Sequence, residues 1–259
     1  MARAAAAWDP AQYLRFSGER LRPALDLLAQ VTLEVPARVV DLGCGAGNVT
    51  AILRERFPSA EVVGIDGSAS MLEKARASVP GCRFELGDFF QWEPDEPVDL
   101  LYSNAALQWV DRHETLFPRL LSFVRPGGVF AVQMPAMHDM PLRRIPYELA
   151  ETPEWVGELR GVGSAPGILS AEAYWDLLRP HAASLDIWQT TYIHVLHGEN
   201  AVMEWASGSS LRPFLDRLPK ERREAFRQAY SEAAQMHYPQ RADGTVLLPF
   251  QRLFMMATV

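Results

Sequence analysis

The sequence is poor in cysteine, has fewer basic than acidic residues and contains no long apolar stretch. Only two of its 259 residues are cysteines, so we expect no disulfide framework and predict a reducing, cytoplasmic setting. Lys and Arg number 25 against 32 Asp and Glu, a formal net charge of −7, which argues against a nucleic-acid partner. No run of about 18 apolar residues occurs, so we predict no membrane partner.

Metal-binding patterns are also missing. The six histidines are scattered, and no Cys/His group has the spacing of metal ligands, so we predict no metal site. What is present is ordinary for a globular chain, with 48% hydrophobic and 22% charged residues. The length suits one large α/β domain or a core with an attached cap.

The most informative segment is 38–50, which reads RVVDLGCGAGNVT. An apolar strand runs into Asp41, and alternating glycines follow directly. They are Gly43, Gly45 and Gly47. Because glycine removes the Cβ and permits positive φ, such a turn lets the backbone approach a nucleotide-like ligand. The dinucleotide fingerprint would need glycine at Asn48, which argues against a nicotinamide oxidoreductase.

A second carboxylate supports a ligand site. Residues 61–66 read EVVGID, another apolar strand that ends in an acid. Asp66 lies about twenty residues beyond the loop, where Rossmann-type sites place the acceptor for the ribose hydroxyls. The order of strand, glycine turn, helix, strand and acid therefore favours a ligand site over an ordinary tight turn.

Strand and helix patterns alternate through the first half of the chain. Strands are predicted at 38–42, 61–65, 82–86, 98–102, 129–134, 185–196 and 245–258. Helices are predicted at 8–30, 47–57, 69–78, 115–124, 199–217 and 220–237. This alternation predicts the α/β class, with a mostly parallel, doubly wound sheet and right-handed crossovers.

The later half suggests additions to this core. We predict a cofactor-binding core with an N-terminal helical segment over 1–134. The proline-rich segment 135–183 would be a cap insertion, and 184–259 would supply late strands of the core with a helical insertion at about 199–240. Such a helical cap is expected above the carboxyl ends of the strands, where open α/β sheets bind ligands.

The glycine loop resembles motif I of the S-adenosylmethionine-dependent methyltransferases. Further segments, in order along almost the whole chain, resemble the trans-aconitate 2-methyltransferase family. They are Trp8-Asp-Pro with Tyr13-Leu-Arg-Phe16, the Asp41 loop, Asn104-Ala-Ala-Leu-Gln-Trp109, Val132-Gln-Met-Pro135, Asp186-Ile-Trp-Gln-Thr-Thr-Tyr192, Leu211-Arg-Pro-Phe214 and Arg252-Leu-Phe254. The stretch 138–168 matches least well.

That resemblance implies a Rossmann-like methyltransferase fold with a late antiparallel strand. It implies an enzyme that uses S-adenosyl-L-methionine, leaves S-adenosyl-L-homocysteine, and forms the monomethyl ester of trans-aconitate or a related small polycarboxylate. The cofactor-binding residues that it implies are Tyr13, Asp41, Gly43, Gly45, Gly47, Asp66, Met71, Asp88, Phe89, Asn104 and Ala105.

Their implied roles follow the cofactor from end to end. Asp66 would hold the ribose, and Asp88 would accept from the adenine amino group, with Phe89 and Met71 on the ring faces. The glycines and Asp41 would meet the methionine part and its amino end, and Asn104 and Ala105 would lie near the sulfonium. Judged alone, Met71 and Phe89 are equally typical of core packing, and Asp88 of a turn.

An acid substrate changes what the protein must supply. A carboxylate is already deprotonated at neutral pH, so we predict no catalytic general base, only alignment and exclusion of water. The implied substrate-binding residues are Trp8, Arg20, Tyr192, His194, Arg212 and Arg252. Arginine suits carboxylates, and Arg212 is the strongest candidate because a helix break is predicted around it. His194 is otherwise typical of a hydrogen-bonded structural histidine.

Two alternatives for the function stay open. One is a methyltransferase for another small carboxylic acid, or for an acyl carrier. Another is a regulator that binds S-adenosylmethionine without turnover. The N-terminal aromatics, Trp8, Tyr13 and Phe16, are read either as a lid over the cofactor or as a helix face packed on the core. The sequence predicts no oligomeric state.

Overall fold

The structure, a computed structural model, describes residues 17–137, 140–163 and 167–259, with side chains from residue 21 onward. The predicted contacts of Trp8 and Tyr13 and the side chain of Arg20 therefore lie outside the described residues. No helix among the described residues is both long and apolar enough to cross a membrane.

Seven strands and ten α-helices make up the described parts of the chain. The strands are β1 Arg38–Leu42, β2 Glu61–Asp66, β3 Arg83–Leu86, β4 Val98–Asn104, β5 Val124–Pro135, β6 Ser184–His197 and β7 Thr245–Thr258. The helices are α1 Ser17–Leu28, α2 Asn48–Arg56, α3 Ala69–Ser78, α4 His113–Leu121, α5 Pro141–Ala150, α6 Val156–Leu159, α7 Ala171–Leu178, α8 Ala201–Ser207, α9 Arg212–Arg217 and α10 Lys220–His237.

The strands form one sheet in the order β3-β2-β1-β4-β5-β7-β6. Neighbours from β3 to β5 are parallel, whereas β7 runs antiparallel to β5. The predicted fold class, a mostly parallel sheet with a late antiparallel strand, is confirmed. The chain order reverses direction between β1 and β4, so the carboxyl ends of these strands flank the position where open α/β sheets bind ligands.

Burial explains why these segments are strands. Every residue of β4 from Val98 to Ser103 is buried, and β1 is buried from Val39 onward, the pattern of strands covered on both faces. One face packs α4 and α7 through Phe117, Leu120 and Tyr174. This buried sheet holds the strand ends, and hence the loops that follow them, in fixed register.

Contacts divide the chain into two compact units. One holds the sheet core and consists of 20–136, described residues of 167–190, and 252–259; the other consists chiefly of 140–163 and 191–251. The predicted insertion 135–183 is divided between them. Its helix α7 groups with the sheet because the buried Tyr174 and Leu178 pack into the sheet's core.

The second unit has an aromatic core of its own. Phe226 of α10 packs edge-on against Trp155 and stacks on Phe214. The Leu142 N–H donates to the Tyr238 hydroxyl, and the Tyr230 hydroxyl donates to the Leu142 carbonyl, which fixes α5 against α10.

Three predicted elements differ in detail from the structure. The helix predicted over 115–124 is α4, which ends at Leu121, and Val124 already belongs to β5. The helix predicted over 199–217 is two helices, α8 and α9, because the chain breaks at Gly208 and restarts with Pro213 in the first turn of α9. The fifth strand begins at Val124 rather than 129. The predicted turn at 126–128 is an irregularity in its pairing with β4, where Gly127 has φ +77°.

Candidate functional site

The glycine loop joins β1 to α2 with a backbone that only glycine adopts readily. Gly43, Gly45 and Gly47 have φ of +81°, +55° and +84°, all in the left-handed region. The N–H groups of Gly43 and Cys44 both donate to the Ile65 carbonyl. The loop is thereby fastened to the end of β2 beside it.

Asp66, which is predicted to hold the ribose, also holds this loop. Its Oδ2 accepts from the Gly45 N–H at 2.9 Å, and its Oδ1 accepts from the Ser68 N–H at 2.8 Å. A carboxylate oxygen can accept a second hydrogen bond, so both oxygens retain capacity for hydroxyl groups. No sequence pattern indicated this link between the acid and the glycine loop.

Asp66→Ala should weaken cofactor binding by roughly 10- to 100-fold. The substitution removes acceptors for the ribose and leaves the Gly45 N–H without its partner, and hydrogen bonds to charged groups contribute about 1.5–3 kcal/mol. Titration calorimetry with S-adenosylhomocysteine measures the change. Glu61→Ala, at the exposed start of the same strand, is the control and should bind normally. An Asp66→Ala chain of unchanged affinity would refute this role.

Asp41 is buried beneath the loop. It is 1% exposed, and its Oδ2 accepts from the Thr50 hydroxyl at 2.6 Å. Burial raises the pKa of Asp41 from 3.8 to about 7; the Thr50 hydrogen bond opposes that rise, and the charge of Asp66 adds to it. Asp41 therefore orients the start of α2 through Thr50, as the predicted loop-orienting role requires.

Asp88 and Phe89 follow β3 in a compact turn. The Asp88 Oδ1 accepts from the Phe90 N–H at 2.8 Å, so Asp88 lies in a turn, and its adenine contact stays a prediction. The Arg119 guanidinium donates to the carbonyls of Phe89 and Trp92. This anchoring arginine, on α4, carried no signal in the sequence.

Phe89 and Met71 take different positions. The Phe89 Cζ lies 3.3 Å from the place that a Cβ on Gly43 would occupy, so its ring borders the glycine loop. Met71 is 8% exposed in the first turn of α3, where its N–H donates to the Ser68 hydroxyl at 3.4 Å. Its contact with an adenine ring stays a prediction.

Asn104 ends β4, and Ala105 follows it beside the loop. Ala105 has φ +53°, and its N–H donates to the Gln133 carbonyl at 2.9 Å. The Asn104 Oδ1 is buried and has no hydrogen-bond partner within the described part of the chain. A buried acceptor without a donor is costly, which fits a site where a bound molecule supplies the donor.

His113 fastens the segment that follows Ala105. Its Nε2 lies 2.9 Å from the Leu107 carbonyl, and its Nδ1 pairs with the Tyr174 hydroxyl. Burial lowers the pKa of His113, so the ring is neutral at pH 7, with Nε2–H donating to Leu107. Both ring nitrogens are engaged, and the histidine, which begins α4, links the segment after β4 to α7.

Comparison with known proteins identifies the family. A profile described as "Methyltransferase domain" matches residues 39–128. The trans-aconitate 2-methyltransferase of Azoarcus sp. (strain BH72) is 47% identical over 251 residues, covering 96% of this chain and 98% of its own. This chain belongs to the trans-aconitate 2-methyltransferase family. The resemblance carried by the sequence motifs is thereby confirmed.

Solved structures agree on the fold of this family member. The YcgJ protein from Bacillus subtilis has a TM-score of 0.59 at 14% identity, with 90% of this chain and 95% of that chain covered. A Haemonchus contortus phosphoethanolamine N-methyltransferase 2, solved with S-adenosylhomocysteine, has a TM-score of 0.56 at 15% identity, covering 92% of this chain and 52% of that one. The predicted Rossmann-like methyltransferase fold is confirmed.

The predicted substrate residues fall into different units. Arg252 lies in the sheet unit, on β7 opposite Pro135, and is 4% exposed. Tyr192, His194 and Arg212 belong to the other unit. The Arg212 Nε lies 3.5 Å from the Asp216 Oδ2 one turn along α9, and its side chain is 28% exposed. Their roles toward a substrate stay predictions.

His194 lies in an aromatic cluster. It is 3% exposed, and its ring lies 4.8 Å from that of Trp205 and 5.4 Å from that of Phe250. No group of three or more His, Cys, Asp or Glu in the described ranges is arranged to hold a metal ion.

Proposed function

We propose that this chain is an S-adenosylmethionine-dependent O-methyltransferase that forms the monomethyl ester of trans-aconitate. The main support is the 47% identity, over nearly the full length of both chains, to a protein named trans-aconitate 2-methyltransferase. The geometry agrees, because a left-handed glycine loop and two carboxylates lie at the carboxyl ends of β1, β2 and β4, together with an Asn104 oxygen that has no partner among the described residues.

The loop leaves room for the cofactor. A Cβ placed on Gly45 would meet no atom within 4 Å in the described part of the protein, so the backbone faces open space there. The Gly45 N–H donates to Asp66, which holds the loop in this conformation. Bound S-adenosylmethionine would supply an electrophilic methyl group on its sulfonium.

No proton transfer is needed if the acceptor is a carboxylate. Carboxyl pKa values near 4 leave the acid ionised at pH 7, with a lone pair ready for attack. The protein's own part is then to bind the anion, align it in line with the methyl group and exclude water. His113, whose ring nitrogens are both hydrogen-bonded, is not placed to act as a base.

The test is incubation of the purified protein with methyl-labelled S-adenosylmethionine and single organic acids, followed by mass spectrometry of esters. We expect a monomethyl ester with trans-aconitate, and much lower yields with citrate, isocitrate and itaconate. Preferential labelling of another acid, or of an acyl carrier, would move the assignment to that substrate. Cofactor binding without any ester would favour a regulator.

We also place this reaction in the cytoplasm. Cys44, in the glycine loop, and Cys82 are both free thiols, which suits a reducing compartment. Burial raises the pKa of Cys44 well above its usual value, so this thiol is protonated and inert beside the cofactor loop.

A further inference from the structure

Gln133 is a buried side chain whose polar atoms the described structure leaves unsatisfied. It is 0% exposed near the carboxyl end of strand β5, where its neighbours are apolar, and neither its Oε1 nor its Nε2 has a hydrogen-bond partner in the described ranges. Burying an amide in this way costs free energy. Such a residue is expected where a bound molecule completes its hydrogen bonds.

The position of Gln133 is fixed at the edge of the candidate site. It is the register partner of Asn104 on β4 and of Phe254 on β7, so the three side chains share one face of the sheet. Its carbonyl accepts the Ala105 N–H at 2.9 Å. The Phe254 ring stacks on Trp188 at 4.9 Å, which forms an apolar wall beside the amide.

In the sheet, Gln133 lies one strand beyond the residues that are predicted to contact the cofactor. The glycine loop follows β1, Asp66 ends β2 and Asp88 follows β3, while Asn104, assigned to the sulfonium end, closes β4. Gln133 lies one strand further out, roughly 5 Å beyond Asn104. The next strand carries Arg252, opposite Pro135 on the same sheet face. Across the sheet, the residues predicted to bind the cofactor are therefore followed by the Gln133 amide and then by the buried Arg252 guanidinium.

We propose that Gln133 is an acceptor-binding residue whose Nε2 donates to a carboxylate of the acid substrate; this rests on the function proposed above. The Nε2 carries two N–H donors, and an ionised carboxylate offers only acceptors. The apolar wall of Phe254 and Trp188 lowers the local dielectric, which strengthens such a hydrogen bond. Arg252, in the adjacent strand, binds a second carboxylate of the same molecule, so the pair selects polycarboxylates.

The test compares Gln133→Met with the wild type. Methionine keeps the volume and removes the amide. We expect the KM for trans-aconitate to rise roughly 10- to 100-fold, as for a hydrogen bond to a charged group. The Kd for S-adenosylhomocysteine should stay within about twofold, and the melting temperature should stay equal or rise, because a partnerless buried amide is removed. Gln133→Glu, which opposes the substrate's charge, should raise KM further.

Gln228→Met is the matched control. Gln228 is exposed on α10 and bonds Glu232, so this variant should leave KM, cofactor affinity and melting temperature unchanged. A Gln133→Met chain with wild-type KM overturns the proposal, because the amide then does not bind the acid. A chain that fails to fold overturns it as well, because the amide then serves the structure. A raised cofactor Kd with unchanged KM would assign Gln133 to the cofactor instead.

The wild type separates this proposal from the one on which it rests. If the wild-type chain forms no ester with any acid, the proposed function fails and this inference fails with it. If the wild type esterifies trans-aconitate and Gln133→Met does so with equal KM, only the role of Gln133 is wrong.

Discussion

Gly43→Ala is expected to destabilise the protein by about 3 kcal/mol or more and to lower kcat/KM on the order of 100-fold. A Cβ at this position would lie 2.1 Å from the Ala106 Cβ, and Gly43 has φ +81°. Left-handed backbone costs alanine about 1–2 kcal/mol, and the overlap adds the cost of moving a packed chain. Because Ala106 directly follows Asn104 and Ala105, the displacement reaches the predicted sulfonium end.

Gly45→Ala is the matched control in the same loop. Its φ of +55° imposes a similar backbone cost, but its Cβ meets nothing within 4 Å among the described residues. We expect a stability loss of about 1 kcal/mol, together with weaker cofactor binding if the cofactor lies against this backbone. Thermal melts with and without S-adenosylhomocysteine measure the loss of stability and the change in cofactor binding. A Gly43→Ala chain as stable as Gly45→Ala would contradict the steric argument.

The glycine loop could be predicted from sequence because its information is local. Alternating glycines after an apolar strand, followed by a helix and a second strand ending in Asp66, leave few other structures with the same spacing. The same locality explains why most strand boundaries agree to within a residue or two with 38–42, 61–65 and 245–258. Hydrophobic patterning fixes these elements before any tertiary contact is considered.

The supporting residues could not be predicted in this way. Arg119 reaches the Phe89–Trp92 turn from about 30 positions away, and His113 bonds Tyr174 across 61 residues. No local pattern encodes such contacts. Gln133 did carry a signal, a polar residue inside an apolar strand, yet its meaning depends on register with Asn104 and Phe254.

The boundary of the predicted insertion could not be set from the sequence for a related reason. Prolines between 135 and 183 indicated irregular structure but not which pieces pack on the sheet. Tyr174 decides this for α7, because its hydroxyl bonds His113 and its ring lies 4.9 Å from that of Phe117. Helix α7 therefore belongs to the core that positions the site. The position of the remaining cap stays a prediction.

Asp41 should make the unbound protein less stable as the pH rises from about 4 to 7. Its pKa is about 7 in the folded chain, against an ordinary value of 3.8. Between these values the folded state holds a proton that the unfolded state has lost, so the free energy of unfolding falls with pH and levels off above 7. The gap corresponds to about 4 kcal/mol, measured as the difference between wild-type and Asp41→Asn urea unfolding profiles.

Asn at position 41 retains an acceptor for Thr50 and cannot titrate, so its profile should lack this fall. Thr50→Val is the second variant. Because the Thr50 hydrogen bond lowers the pKa of Asp41, its loss should extend the fall to higher pH. Parallel wild-type and Asp41→Asn profiles would show that Asp41 is ionised across this pH range and that burial does not raise its pKa.

The same proton links Asp41 to cofactor binding. If its carboxylate faces the cationic amino end of S-adenosylmethionine, the bound cation stabilises the ionised form and lowers the pKa. Binding at pH 6 should then release nearly one proton per site, seen by calorimetry in buffers of different ionisation enthalpy, and Asp41→Asn should release none. Equal proton release by both proteins would mean that Asp41 orients the loop through Thr50 alone.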